Sequence, residues 1–247
     1  MRENLNWRII LGAALLLASI AAYLVHYAIF RDPHHIFIFM VGDIAFVFVE
    51  VLLVTLIIHR LLTEKEKRQR LEKLNMVIGA FFSEVGTRLL VYLSDFDPKL
   101  DSIRDDLIVK DNWSQEEFAH VDKKLREYDY QINGKDIQLE NLGKFLVGKR
   151  DFLLGLMENP TVLEHELFTD LLQAVFHLTE ELAARGDLCS LPDSDCEHLV
   201  GDIRRVYSRM VHQWLDYMQH LKVNYPYFFN FAMRTNPFDQ TASPYVE

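Results

Sequence analysis

Several things this chain has little of narrow what it can be. Cysteine is nearly absent: among 247 residues there are two, Cys189 and Cys196. Their spacing is not C-x-x-C, so a disulfide framework and a thiolate metal or redox centre are both excluded, leaving two ordinary thiols. Positive charge is short as well: 26 Lys and Arg against 36 Asp and Glu give a formal net charge of -10. No basic stripe is available to lie over phosphates, which removes nucleic acid as a partner. Period-two alternation between turn dipeptides is missing, so strands are not expected. Neither G-x-S-x-G nor H-E-x-x-H occurs, and "EHE" at Glu164 to Glu166 lacks a second histidine. There is no internal repeat and no low-complexity linker.

Apolar residues are plentiful, half of the chain, and unevenly spread. Residues 9–30 and 35–58 are almost uninterrupted apolar runs. As helices rising about 1.5 Å per residue, each covers the roughly 30 Å of a bilayer's hydrocarbon core. Arg2 and Arg8 ahead of the first run, and "ASIAA" within it, raise a cleaved signal sequence. The run continues past that point, so a retained anchor is expected. Only "RDPHH" separates the runs, and Pro33 there enforces a tight reversal, giving a hairpin. Arg60, Lys65, Lys67, Arg68, Arg70 and Lys73 crowd the exit of the second span, while Arg2 and Arg8 flank the first. This bias places both termini in the cytoplasm. The same six cations can attract anionic headgroups, at about 1 kcal/mol each, although Glu64, Glu66 and Glu72 interrupt them.

Within the second span stand Asp43 and Glu50, one heptad apart with Phe46 between. An ionised carboxylate at mid-bilayer costs about 2.5 to 3.5 kcal/mol, so such groups face protein or water. A single hairpin cannot hide them, and its only other intramembrane polar candidate, His26, is shallower than Asp43. Self-association resolves the conflict, with Ala14, Ala18 and Ala22 letting helices approach closely. Rings of Asp43 and Glu50 then either line a cation or proton path or sit protonated and hydrogen-bonded, holding helices together.

From residue 59 onward, apolar stripes of helical period recur with capping signals, so the fold class is all-α. The second span is expected to run on to residue 94 as a stalk about 60 residues long, with Leu71, Leu74, Ile78, Phe81, Val85 and Leu89 on one face. A helix capped by Ser114 and Glu117 should carry Phe118, Val121, Leu125, Tyr128 and Ile132 to "NG" at Asn133. Another is expected from about Lys135 to Glu158. A Thr161 and Glu164 box should open a third, with Leu163, Leu167, Leu171, Ala174, Leu178 and Leu182 inward. Ser194 with Glu197 should cap a last long helix, with Leu199, Ile203, Val206, Met210, Trp214, Tyr217 and Leu221 buried, ended by Pro226. The resulting division is a hairpin at 1–58, a stalk at 59–94, a cytoplasmic bundle at 95–234 and a tail at 235–247.

Three clusters invite chemistry, and each has a plainer reading. "GKFLVGK", Gly143 to Lys149, has phosphate-loop spacing, but Arg150 follows where Ser or Thr is required, and no strand precedes it. His212, Asp216 and His220 recur every four residues, yet the same face carries His198, Asp202, Arg205 and Arg209, as a solvated face does. His177 shares a stripe with Glu166, Asp170, Gln173 and Glu181, facing away from the apolar side. No metal, cofactor or catalytic residue is therefore expected. "NPF" at Asn236 to Phe238 should stop a helix and tuck Phe238 against the bundle.

"LNMVIGAFFSEVG" (Leu74 to Gly86) and "HLKVNYPYFFNFAMRTNPFD" (His220 to Asp239) resemble segments of uncharacterised bacterial membrane proteins with two N-terminal spans and a helical cytoplasmic domain. The resemblance implies a bacterial inner-membrane setting and brings no activity with it. Asn75, Ser83, Glu84 and Asn236 in these stretches are candidates for contacts between helices or subunits. The expectation is a non-enzymatic, homo-oligomeric membrane protein whose partners are the bilayer, copies of itself and a cytoplasmic protein or small ligand. A pore lined by Asp43 and Glu50 is the alternative, and a tethered metalloenzyme is a more distant third.

Overall fold

The computed structural model of the chain describes residues 2–134 and 137–245, without the side chains of residues 2–6, 8 and 35. The side chains of Arg2, Arg8 and His35, the expected helix start at Lys135 and the last two residues of the tail lie outside that description. All regular structure among the described residues is helical, the all-α class expected. The chain divides into two compact units, residues 1–67 and 68–247.

The first unit holds α1 (Arg2–Phe30) and the start of α2 (Pro33–Phe81). The chain reverses at Arg31, whose φ of 47° is a left-handed conformation that ends a helix. Its N–H donates to the Tyr27 carbonyl at 2.8 Å. Pro33 then opens α2 with its fixed φ, and the Asp32 carboxylate accepts the His34 N–H at 2.9 Å. Large apolar side chains are exposed along both helices, including Leu16, Leu24, Phe39 and Phe48. Both helices are long and apolar enough to cross a membrane. A helix that is apolar on every side has to be covered by lipid or protein.

In the second unit the last turns of α2 pass into a π-helical turn, Phe82–Gly86, and then α3 (Thr87–Ser94). Leu74, Ile78, Phe81, Val85 and Leu89 are buried. Leu71 is 45% exposed, so the stripe enters the core one turn later than its period implied. After a short 3-10 turn and α4 (Arg104–Leu107) comes α5 (Gln115–Glu127), which starts with the expected reciprocal capping box of Ser114 and Glu117. It ends at Glu127, short of Asn133. Tyr128 turns extended there, and its hydroxyl donates to the Asp97 carboxylate at 2.8 Å, a tertiary bond that overrides the helical period.

The helix expected from Lys135 to Glu158 is two helices, α6 (Leu139–Val147) and α7 (Arg150–Met157), broken at Gly148 and Lys149. "GKFLVGK" is therefore the end of a helix and the following turn, with Lys149 paired to Glu84 at 2.7 Å. The Thr161 and Glu164 box does not form. Asn159 caps α8 (Pro160–Leu163), and His165 caps α9 (Glu166–Ala183), its Nδ1 accepting the Phe168 N–H. Leu171, Ala174, Leu178 and Leu182 are buried as expected, with Phe168, Leu172 and Val175 beside them, but Leu163 and Leu167, before and at the later start, are exposed. Ser194 does not cap α10 (Asp193–Asn224), which starts after Pro192 with no side-chain cap. Pro226 does end α10, but it also opens α11 (Pro226–Arg234) from its first turn, where its missing N–H costs nothing.

Helix α10 is the axis of the unit, packed by α3, α5, α9 and α11. Phe238 is fully buried, edge-on to Trp214 with centroids 5.0 Å apart. Asn236 fixes it there, donating to the Leu107 carbonyl and accepting the Phe238 N–H, each at 2.9 Å.

A Cβ on Gly86 would lie 2.6 Å from the ring of Phe82 and 3.0 Å from that of Phe81, both buried. Gly201, within α10, has nothing within 4 Å. Gly86→Ala should therefore destabilise the protein by about 1 to 3 kcal/mol through overpacking, and Gly201→Ala should stabilise it by about 0.5 to 1 kcal/mol. Thermal unfolding of the two variants beside the wild type checks both signs.

Candidate functional site

Asp43 and Glu50 are exposed on α2, and no ion pair or hydrogen bond joins either to another described residue. Ala14, Ala18 and Ala22 are likewise exposed on α1. His26 packs its ring against Phe30 of its own helix at 4.8 Å and lies 6.5 Å from Phe39 of α2. Of the six cations, Arg68 pairs with Glu72 at 3.2 Å and Arg70 with Glu164 at 3.0 Å. Both pairs are well exposed and worth at most about 1 kcal/mol. Cys189 and Cys196 are free thiols.

One concave feature of the second unit lies where the end of α2 and the π turn meet α10 and α11. A pocket of about 580 Å³ is lined there by Asn75, Gly79, Phe82, Tyr217, His220 and Phe231, among others. The sequence puts it there for three reasons. Gly79 keeps α2 low beneath the Tyr217 hydroxyl, which a Cβ would approach to 3.3 Å. Phe82 stacks on Tyr217 with rings 5.0 Å apart and nearly parallel, forming the wall. Pro226 restarts the chain as α11 and sets Phe228 and Phe231 along the opening, both exposed.

Polar groups converge on this apolar space. Asn75 and Asn224 each donate from Nδ2 to Nδ1 of His220, at 3.0 and 3.1 Å. An amide nitrogen can only donate, so Nδ1 accepts and the proton sits on Nε2. That Nε2 is buried with no hydrogen-bond partner. Burial pushes the His220 imidazole below its usual pKa, partly offset by Glu72, and it pushes the Tyr217 phenol up. The site thus offers neutral donors on an aromatic bed, and no Lys, Arg, Asp or Glu is among its lining residues. It suits a largely apolar molecule carrying a hydrogen-bond acceptor, and its size falls in the range of small-ligand pockets.

Asn75 lies in one of the two stretches singled out from sequence and reaches across to α10. Ser83 lines the pocket, Glu84 pairs with Lys149, and Asn236 holds the tail. His220, expected on a solvated face with His212 and Asp216, is instead turned into the fold by Asn75. His212 is directed to Asp122 at 3.3 Å, so the three do not converge. Among the described residues, no three His, Cys, Asp or Glu side chains are already gathered as a metal site. A second polar cluster surrounds Asp97, a buried carboxylate that accepts the Tyr128 hydroxyl and the Lys99 N–H at 2.8 and 3.0 Å. Burial raises its pKa, and Tyr130 and Tyr207 pack edge-on behind it.

Two long apolar helices followed by a helical domain with an open pocket define an all-α protein of candidate membrane-anchored architecture. Residues 70–234 match the family model described as "Uncharacterized protein MJ1433, C-terminal helical domain", and residues 2–62 match "MJ1433, N-terminal helical domain". The chain belongs to this family. One relative, "Uncharacterized protein MJ1433" of Methanocaldococcus jannaschii, is 46% identical over 234 residues, covering 95% of this chain and 94% of its own. That relative is archaeal, whereas the resemblance drawn from the two short stretches was to bacterial proteins. No solved structure matches the chain.

The lowered pKa of His220 has a definite sign. The fold prefers the neutral ring, so its contribution is fully present above the unfolded value of about 6.5 and is lost as pH falls through the folded value. Between pH 7.5 and 5, the melting temperature of the wild type should fall more than that of His220→Gln. Parallel melts across that range measure the difference.

Proposed function

We propose that this protein is a homo-oligomeric, two-span membrane protein with both termini in the cytoplasm, and that its helical domain is a sensing or interaction module without catalytic activity. The observation that carries this reading is the pocket of about 580 Å³ beside His220. It combines stacked aromatic walls with neutral polar groups, and it contains no nucleophile paired to a base. Its occupant in this reading is a neutral, mainly apolar small molecule with a carbonyl, ether or hydroxyl oxygen placed for the Tyr217 hydroxyl of the lining.

The two apolar helices support the anchor by length and composition. Arg60, Lys65, Lys67 and Lys73 serve as headgroup contacts beside Arg68 and Arg70. Association through Ala14, Ala18 and Ala22 would give the carboxylates of α2 the protein surroundings that charged groups need in lipid. A second reading has one observation in its favour: Asp43 and Glu50 stand exposed on one face of α2 without a partner, as a converging ring of pore residues would in a single copy.

Detergent-purified protein should bind an uncharged solvatochromic dye saturably. Ala232 of α11 also lines the pocket, and filling the space by Ala232→Phe should weaken that binding at least tenfold while the melting temperature changes little. Equal binding by both proteins would count against the pocket reading. For the second reading, liposomes carrying the protein should pass protons or cations at a rate cut severalfold by Asp43→Asn with Glu50→Gln. No flux in wild type or variant would set the pore aside.

A further inference from the structure

The histidine stripe read from the sequence as solvated surface turns out to lie along a seam between two helices. His177 and Glu181 are four apart on α9, and His198 and Asp202 are four apart on α10, so each pair projects from one face of its helix. Since α9 packs along α10, the pairs meet. His177 Nε2 lies 3.4 Å from Asp202 Oδ2, and His198 Nε2 lies 3.5 Å from the same oxygen. Glu181 closes the group, with Oε1 3.9 Å from His177 Nε2 and Oε2 3.7 Å from His198 Nε2.

The Asp202 carboxylate is 4% exposed, and its Oδ2 is buried with no hydrogen-bond partner. A buried acceptor left in that state is unfavourable. The imidazoles stand too far off to supply the bond, since nitrogen to oxygen hydrogen bonds run to about 3.2 Å. Their separation instead fits two ligands of one small cation: donors about 2.0 to 2.1 Å from a tetrahedral zinc lie about 3.3 to 3.4 Å from each other. The remaining oxygens are already held. Arg205 Nη1 donates to Asp202 Oδ1 at 2.8 Å, and Arg185 Nη1 donates to Glu181 Oε2 at 2.7 Å. These are the orienting bonds that ligand carboxylates receive from their surroundings, and they leave Asp202 Oδ2 facing both histidines and Glu181 Oε1 facing His177.

We propose that His177, His198, Asp202 and Glu181 bind one divalent transition-metal ion of the zinc class, fastening α9 to α10. Imidazole with carboxylate is a donor set that suits zinc. The donors do not yet surround a single point, and the half-exposed imidazoles have solvent space in which to turn and complete the site.

The test is calorimetric titration of zinc ion into tag-free, chelator-treated full-length protein in detergent. The expected result is one zinc per chain at micromolar affinity or tighter, with a rise in melting temperature. His177→Ala and His198→Ala should each weaken binding at least tenfold and abolish that rise. Both side chains are half exposed, so the variants should stay folded by circular dichroism, and Asp202→Asn adds a third removal at the buried ligand. His212→Ala, outside the cluster, should bind as the wild type does. Absence of zinc binding by the wild type, or binding that survives both histidine substitutions, overturns the proposal.

Discussion

The second unit is organised by one constraint, the burial of two consecutive aromatic rings at the end of α2. Phe81 meets Phe168 of α9 edge-on at 5.6 Å, while Phe82 stacks on Tyr217 of α10. Neighbours in a regular helix point about 100° apart, so burying both requires partners on two sides. Helices α9 and α10 supply them and are thereby set against each other. Gly86 follows because a methyl group there would strike both rings, and the pocket follows because its wall is the outer face of the Phe82 and Tyr217 stack. Removing either ring would cost more than its own burial, since it would unseat the contact that fixes the angle between two long helices.

The polar features of the fold hang on that arrangement. His220 stands one helical turn beyond Tyr217 on α10, and Asn75 stands two turns before Phe82 on α2, so the aromatic stack brings amide and imidazole within bonding distance. Further back along α10, the packing against α9 lays His198 and Asp202 opposite His177 and Glu181. Both clusters join residues far apart in the chain. Each therefore depends on the core being formed, and neither is a local property of its helix.

This explains how far the sequence could be read. Helical class, the apolar runs and the Ser114 capping box depend on neighbours within a few positions, and all were legible. The burial of Phe238 was legible from the helix stop before it, although Trp214, against which it packs, and Leu107, to which Asn236 bonds, are distant in the chain. Where elements began or ended otherwise, a competing bond had won: Tyr128 left its helix for the distant Asp97, and His165, bonded to the Phe168 N–H three residues on, took the capping role that Thr161 was expected to fill. Leu163 and Leu167 moved to the surface as a result. Asp202 was misjudged for the same reason. On its own helix it sits among charges, as a solvated residue does, and only α9 covers it. The signal available in advance was the repeated spacing, His then carboxylate four residues on, in two adjacent helices. The pocket had a weaker signal, a glycine in mid-helix at Gly79 and a proline at Pro226 shortly after His220.

The π turn at Phe82–Gly86 has a consequence for reading frame. Hydrogen bonds that span one more residue than in an α-helix insert an extra position into the winding, so every side chain beyond Gly86 is set back by about 100° relative to an uninterrupted helix. The stripe that carries Leu74 and Ile78 into the core would, without that slip, have drifted off it before Leu93. The turn thus acts as a phase correction, letting one continuous path of helix keep the same side inward from α2 to the end of α3.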